Sequence, residues 1–273
     1  NLTLISRTKN KKIKNLHNID LNNKKRIEAF VESQKTFFGI IFLVAMAHKK
    51  GRNKNFGSFK KKNFCTLKNL IRALEKFNKM PSKFIFSSTI SVYGENINEK
   101  LYDEQFKNTP SSPYTVTKSD AEVFLLSKYP KKVWILRFAP VYSKIFRLNI
   151  YRRIKIFNLF FFKVGSGKKK LSLCNIKNIA LTIESILENK VPASVYNLSD
   201  SVDYTYSDLL QYFKAKTFIF IPKIIFQIVY SIGNTFNIIF LKENSIKLLS
   251  DNIYPSIKLR KYVNIKHKLD IND

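Results

Sequence analysis

The sequence predicts an α/β fold: a doubly wound parallel sheet with a smaller, mostly helical C-terminal lobe. Short apolar runs alternate with longer stretches of helical period. The strand-like runs are apolar throughout rather than alternating, as in strands buried on both faces. The 273 residues, 45% hydrophobic and 14% aromatic, suffice for a sizeable core and suit one large domain or two small ones.

The elements follow in order. Residues 2–6 read as a strand, 24–33 as a helix and 39–45 as a buried strand. Residues 64–77 read as a helix with Leu67, Leu70, Ile71 and Leu74 on one face. A strand over 83–88 precedes a helix over 113–128. Ser112 can cap that helix, Pro113 suits its first position and Pro130 stops it. A strand over 133–138, a helix over 176–187 and a strand over 194–198 complete the regular pattern. From residue 144 the alternation falters. The expected division is 1–143 with about 172–200 in one domain, and 144–171 with 201–273 in the second lobe. The apolar stretch 36–47 is too short to span a bilayer. The stretch 217–241 is interrupted by Pro222, Lys223, Gln227, Asn234 and Asn237. It reads first as buried or amphipathic helix, next as peripheral membrane contact, and last as a span.

Lys and Arg number 49 against 19 Asp and Glu, a balance of +30 with pI about 10.0. Such charge invites a nucleic-acid reading. The basic residues are spread along the whole chain, however, in a composition rich in Lys, Asn, Ile and Phe. That is background charge, and no nucleic-acid partner is expected. Two cysteines, Cys65 and Cys174, make no disulfide framework, so a reducing, cytoplasmic setting is expected. His17, His48 and His267 lack the neighbours a zinc site needs, so no metal is expected. Position 1 is Asn, with a strand-like run directly after it, so the chain is expected to start downstream of its true beginning.

The helix over 113–128 is the informative one. Its inward stripe runs Thr117, Ala121, Phe124 and Leu125, and it carries Tyr114 and Lys118 one turn apart. A Lys on an inward stripe is costly unless it has a task or a partner. Alone, Tyr-x-x-x-Lys is more often a snorkelling Lys beside a core Tyr. Here the preceding apolar strand ends in Ser87, Ser88 and Thr89 before a turn at Gly94. Parallel sheets bind ligands at such carboxyl ends.

Three motifs in order carry a resemblance: Ser87-Ser-Thr-Ile-Ser-Val-Tyr-Gly94, Ser112-Pro-Tyr-Thr-Val-Thr-Lys118 and Leu136-Arg-Phe-Ala-Pro-Val-Tyr142. Together they resemble the NAD-dependent epimerase/dehydratase family of the extended short-chain dehydrogenase/reductase superfamily, over roughly residues 1 to 210. The resemblance implies a Rossmann-like domain and an enzyme that modifies nucleotide sugars. It places Thr89, Tyr114 and Lys118 in the catalytic positions, with Thr89 and Tyr114 also touching substrate. A Tyr phenol titrates near 10 unperturbed. A neighbouring ammonium and the cofactor's positive ring would stabilise its phenolate, letting Tyr114 exchange the sugar hydroxyl proton.

Further positions follow from the same resemblance. Asn18-Ile-Asp-Leu21 places Asp20 and Leu21 by the adenine, and Leu43-Val-Ala-Met-Ala47 places Val44 and Ala45 by the cofactor. Asn63, Ser87, Ser88, Phe138 and Pro140, with Tyr114 and Lys118, complete the cofactor set. Asn149 and Lys168 fall where the family holds the sugar diphosphate. Arg7 ends the strand that chooses between NAD and NADP and leans towards NADP, since Arg suits a ribose phosphate.

Departures narrow the reaction. The seven glycines, 39, 51, 57, 94, 165, 167 and 233, supply no dinucleotide loop. Residues 2–6 fit the second strand, so a first βα unit of about 30 residues is expected upstream. Dehydratases place Asp-Glu after the catalytic Thr, whereas Ile90 and Ser91 stand here. That disfavours loss of water and leaves epimerisation or 4-keto reduction, with hydride transfer at the sugar C4. The expected substrate is a UDP-sugar for surface polysaccharide, and a homodimer is the expected assembly. The alternative is a non-catalytic or degenerate relative that binds nucleic acid or anionic membrane through its basic surface.

Overall fold

The structure, a computed structural model, describes residues 2–10, 12–46, 56–94, 101–156 and 159–270. Ala47 and His48 lie outside the described residues. The chain forms two compact units, Asn1–Ser87 with Pro113–Trp134, and Ser88–Ser112 with Ile135–Asp273.

In the first unit, β1 (Leu4–Ser6) pairs in parallel with β2 (Leu16–Asn18). A second parallel pair joins β3 (Gly39–Phe42) to β4 (Lys83–Thr89), from Gly39 opposite Lys83 to Phe42 opposite Phe86. Parallel pairing is what unalternating apolar strands require. Helix α1 (Lys24–Ser33) starts where Asn23 accepts a bond from the Arg26 amide. At its other end the Lys79 ammonium donates to the carbonyls of Val31, Glu32 and Gln34, placing a cation where the last helical carbonyls lack helical partners. Helical winding then runs from α2 (Phe56–Phe59) through a π turn (Lys60–Cys65) into α3 (Thr66–Lys76). The expected helix over 64–77 therefore starts earlier. The π turn breaks the 3.6-residue period, so the apolar pattern is regular only from Leu67 onward. Leu67, Leu70, Ile71 and Leu74 are buried. The expected strand over 39–45 is shorter than anticipated. It ends at Phe42, the last residue with a partner on β4, and Leu43, Val44 and Ala45 are exposed. Helix α4 (Pro113–Lys128) completes this unit.

In the second unit, residues Ile135 to Phe138 of β5 (Val133–Phe138) pair in parallel with β11 (Val195–Leu198), from Ile135 opposite Val195 to Phe138 opposite Leu198. The short strand β6 (Val141–Tyr142) pairs in parallel with β10 (Cys174–Asn175), which leads into α6 (Ile176–Leu187). After α5 (Leu148–Ile154), β7 (Lys155–Ile156) and β8 (Phe160–Val164) are antiparallel. Strand β9 (Lys170–Leu171) pairs with β12 (Tyr204–Thr205), which opens α7 (Tyr206–Tyr212) through a capping box of Thr205 and Asp208.

The stretch 217–241 is not one helix. Pro222 ends β13 (Ile219–Ile221), which pairs with β8, and two helices follow, α8 (Lys223–Thr235) and α9 (Ile239–Leu249). Nor is it buried. Within α8 only Gly233 is buried. Among the described residues no helix is long and apolar enough to cross a membrane.

A polar knot centred on Asp200 organises this unit. The phenols of Tyr142 and Tyr204 each donate to it at 2.8 Å, the Asn175 amide at 2.7 Å and the Asn178 side chain at 2.9 Å. Asn178 also exchanges bonds with the backbone of His267, and Tyr204 accepts from the Leu269 amide. Four donors satisfy the buried carboxylate and tie the C-terminal segment down. Burial nevertheless raises the Asp200 pKa above the usual carboxylate value.

Candidate active site

In the first unit Arg7, Asp20, Leu21, Val44, Ala45 and Ser87 lie at or just past the carboxyl ends of strands, and Asn63, Tyr114 and Lys118 lie on helical elements. Lys118, in the middle of α4, is 2% exposed. Its ammonium donates to the Ser87 carbonyl at 2.6 Å and lies 4.5 Å from the centre of the Phe86 ring. Burial pushes its pKa down to about 7, while Glu122, one turn on and also buried, pulls it upward. The inward Lys therefore has partners. Tyr114, one turn earlier, is half-buried on the same helix.

A second chain of contacts runs beside it. Asn63, in the π turn and 2% exposed, accepts from the Met46 amide at 2.6 Å. Its Nδ2 donates to the Thr117 hydroxyl at 3.1 Å, which in turn donates to the Tyr114 carbonyl at 2.9 Å. Asn63 thus fastens the segment after β3 to the first turn of α4. π turns recur at functional sites, and here one turns a polar side chain inward. The Ser87 hydroxyl donates to the Phe42 carbonyl at 3.0 Å, closing the ends of β3 and β4 together.

The remaining first-unit residues are placed as follows. Arg7 is exposed, one residue past β1. The Asp20 Oδ1 accepts from the backbone and side chain of Asn22 at 2.9 and 3.0 Å. The Asn22 amide holds its pKa below the usual value, and the charges of Arg7 and Lys61 act in the same direction. Leu21 is buried, and its carbonyl accepts from Asn69 at 3.0 Å. The donor set fits a dinucleotide. A buried ammonium has three N–H donors, of which Ser87 takes one. Arg7 and Asp20 supply a cation and a carboxylate near each other.

The second unit holds the other expected residues. Thr89 caps a 3₁₀ turn (Ile90–Tyr93), its hydroxyl accepting from the Ser91 amide at 3.2 Å. Ser88 is buried. Phe138 ends β5, and the Pro140 carbonyl accepts from the Cys174 amide at 3.1 Å. The Asn149 amide donates to the Val141 carbonyl at 2.8 Å, so one of its donors is committed to the chain. Lys168 is exposed in the turn after β8.

Sequence reasoning passed over three buried groups. Glu122 had a signal, four residues after Lys118 on the same helix. Asp200 had none, since its donors come from Tyr142, Asn175, Asn178 and Tyr204. The third is Arg137, whose guanidinium lies 4.7 Å from the Tyr93 ring centre. The Tyr93 hydroxyl donates to Asn197 at 2.7 Å, and burial pushes its pKa up to about 12.

Comparison with known proteins shows the family and the fold. The family model described as NAD dependent epimerase/dehydratase family matches residues 2–208. No curated protein sequence matches the chain. Among solved structures, the chain resembles the UDP-glucose 4-epimerase of Thermotoga maritima with UDP-glucose at 18% identity and TM-score 0.69, covering 93% of this chain and 80% of that one. It resembles the UDP-glucuronic acid 4-epimerase of Bacillus cereus in complex with NAD at 19% identity and TM-score 0.67, covering 94% and 77%. The UDP-Glc/GlcNAc 4-epimerase of Campylobacter jejuni gives 18% identity, TM-score 0.69, and coverage of 93% and 79%. These likenesses establish a shared fold.

Proposed function

Since the chain belongs to the NAD dependent epimerase/dehydratase family, we propose that it is an NAD(P)-dependent nucleotide-sugar epimerase or 4-keto-reductase acting on a UDP-sugar. One observation carries the reading: the buried Lys118 ammonium, fastened to the end of β4 through the Ser87 carbonyl, one turn from Tyr114. When bound, the nicotinamide supplies the hydride acceptor and donor. Tyr114 takes or returns the proton of the sugar hydroxyl. Lys118, when protonated, lowers the cost of the Tyr114 phenolate. The Thr89 hydroxyl donates a hydrogen bond to the same sugar oxygen. Asn63 contributes by holding the Met46 segment rather than by direct contact, since its amide is committed to Met46 and Thr117.

The finer assignments belong to the same proposal. Arg7 favours NADP. Asn149 and Lys168 meet the diphosphate from the lobe made of 144–171 and 201–273. A homodimer in the reducing cytoplasm is the working assembly, in keeping with unpaired Cys65 and Cys174. Residues 217–241 contact a membrane surface peripherally, and surface polysaccharide is the destination of the sugar.

The test is turnover by the purified chain with UDP-hexoses and UDP-4-keto sugars, each with NAD and with NADP. Conversion that is lost in Tyr114→Phe with the fold retained supports the assignment. Equal turnover by Tyr114→Phe would reject it.

A further inference from the structure

Helix α8 has three faces. At about 100° per residue, Ile224, Ile225, Ile228 and Ile232 fall within an arc of about 100°, and Phe236 follows just past the helix end. All five are exposed, Ile228 at 53% and Phe236 at 71%. A second arc carries Phe226, Val229, Tyr230 and Gly233, the inward side. There α8 packs on α9 so closely that a Cβ on Gly233 would come within 2.8 Å of the Lys242 nitrogen. The third arc, Lys223, Gln227, Ser231 and Asn234, is polar. The exposed stripe is therefore not the packing face of the helix turned outward by chance. It is a separate apolar face beside a polar one.

Charge identifies what fits this face. Between Asp208 and Glu243 the chain has Lys214, Lys216, Lys223 and Lys242 and no Asp or Glu. Lys214, Lys216 and Lys223 are exposed. An exposed apolar stripe in a segment whose only charged residues are cations suits an anionic lipid surface, where chain burial and headgroup attraction act together. The helix has 13 residues, too few to span, and so would lie in the surface. A second copy of the chain fits less well. A two-fold pairing would bring the same lysines of two chains together, each of net charge +30.

We infer that α8 docks in the plane of an anionic bilayer surface through Ile224, Ile225, Ile228, Ile232 and Phe236, with the lysines of residues 209–242 supplying the attraction to the headgroups. The inference rests on the reading of 217–241 as a membrane-contact segment and is independent of the catalytic assignment.

Flotation with vesicles of phosphatidylglycerol and phosphatidylcholine, and with phosphatidylcholine alone, tests it on the full chain. The chain is expected to float with the anionic vesicles only, and less at high salt. Ile228→Ser with Ile232→Ser is expected to weaken binding about tenfold or more while the melting temperature holds, because both side chains are exposed. Ile228→Trp is expected to blue-shift its emission on anionic vesicles and to be quenched by brominated acyl chains. Failure of the parent chain to float would overturn the membrane reading and the inference together. Floating that the serine pair leaves unchanged, with an unquenched Trp, would overturn the inference alone. A lipid-free dimer that the serine pair converts to monomer, with no flotation, would assign the face to a second copy instead.

Discussion

The Lys118 ammonium lies 2.6 Å from the Ser87 carbonyl oxygen, so a cation on α4 is fastened to the end of β4 inside a nearly dry site. Its folded pKa of about 7 lies below its ordinary value of 10.5. Between those two pH values the unfolded chain holds a proton that the native chain does not. Stability therefore rises with pH across that window, and the cost of burying the charge is full below pH 7. Lys118→Met with Glu122→Gln removes both charges. Relative to the parent, this variant is expected to lose about 3 kcal/mol of its stability advantage between pH 7 and pH 9.5. Urea unfolding at the two pH values measures it, and a difference that stays constant would contradict the depressed Lys118.

Tyr114→Phe deletes the proton-transferring group and keeps the ring. Turnover is expected to fall by about 10²- to 10⁴-fold. Melting temperature is expected to stay near the parent value, and cofactor affinity to fall far less than turnover. Steady-state kinetics with a cofactor-binding titration separates the two effects.

Asn63→Ala leaves the Met46 amide without its acceptor, while the Thr117 hydroxyl loses one bond and keeps that to the Tyr114 carbonyl. A loss of about 1–3 kcal/mol is expected, the usual cost of orphaned buried polar groups. Asn63→Asp keeps the acceptor for Met46 and loses the donor to Thr117, so it should lie between Ala and the parent. Denaturant midpoints decide the order.

Asp200→Ala removes one acceptor shared by Tyr142, Tyr204, Asn175 and Asn178. The expected destabilisation is about 3–5 kcal/mol, since several buried donors are left unpaired at once. Proteolysis of the C-terminal segment should accelerate with it, because Asn178 and Tyr204 anchor His267 and Leu269.

Arg7→Ala tests the cofactor preference. NADP affinity is expected to drop about tenfold while NAD affinity changes little, as removal of a ribose-phosphate cation predicts. Calorimetric titration with each cofactor gives the ratio, and equal losses would remove Arg7 from the selection of cofactor.

What could be read from the sequence was local. The helix over 113–128 follows from Pro113, Pro130 and the apolar spacing between them, and the parallel strands follow from runs such as Phe84-Ile-Phe86. The Tyr114/Lys118 pair follows from the four-residue repeat of a helix. Such features depend on neighbours in the chain, and the sequence by itself determined them, together with the family. The tertiary structure decided the rest. Asn63 meets Thr117 across 54 residues, and Tyr142 meets Asp200 across 58. No periodicity encodes partners at that range, because burial and hydrogen bonding are settled only when distant segments pack. The same holds for 217–241. Its apolar content was legible. That α8 spends one arc on α9 and leaves another exposed depended on how closely Gly233 lets the two helices approach.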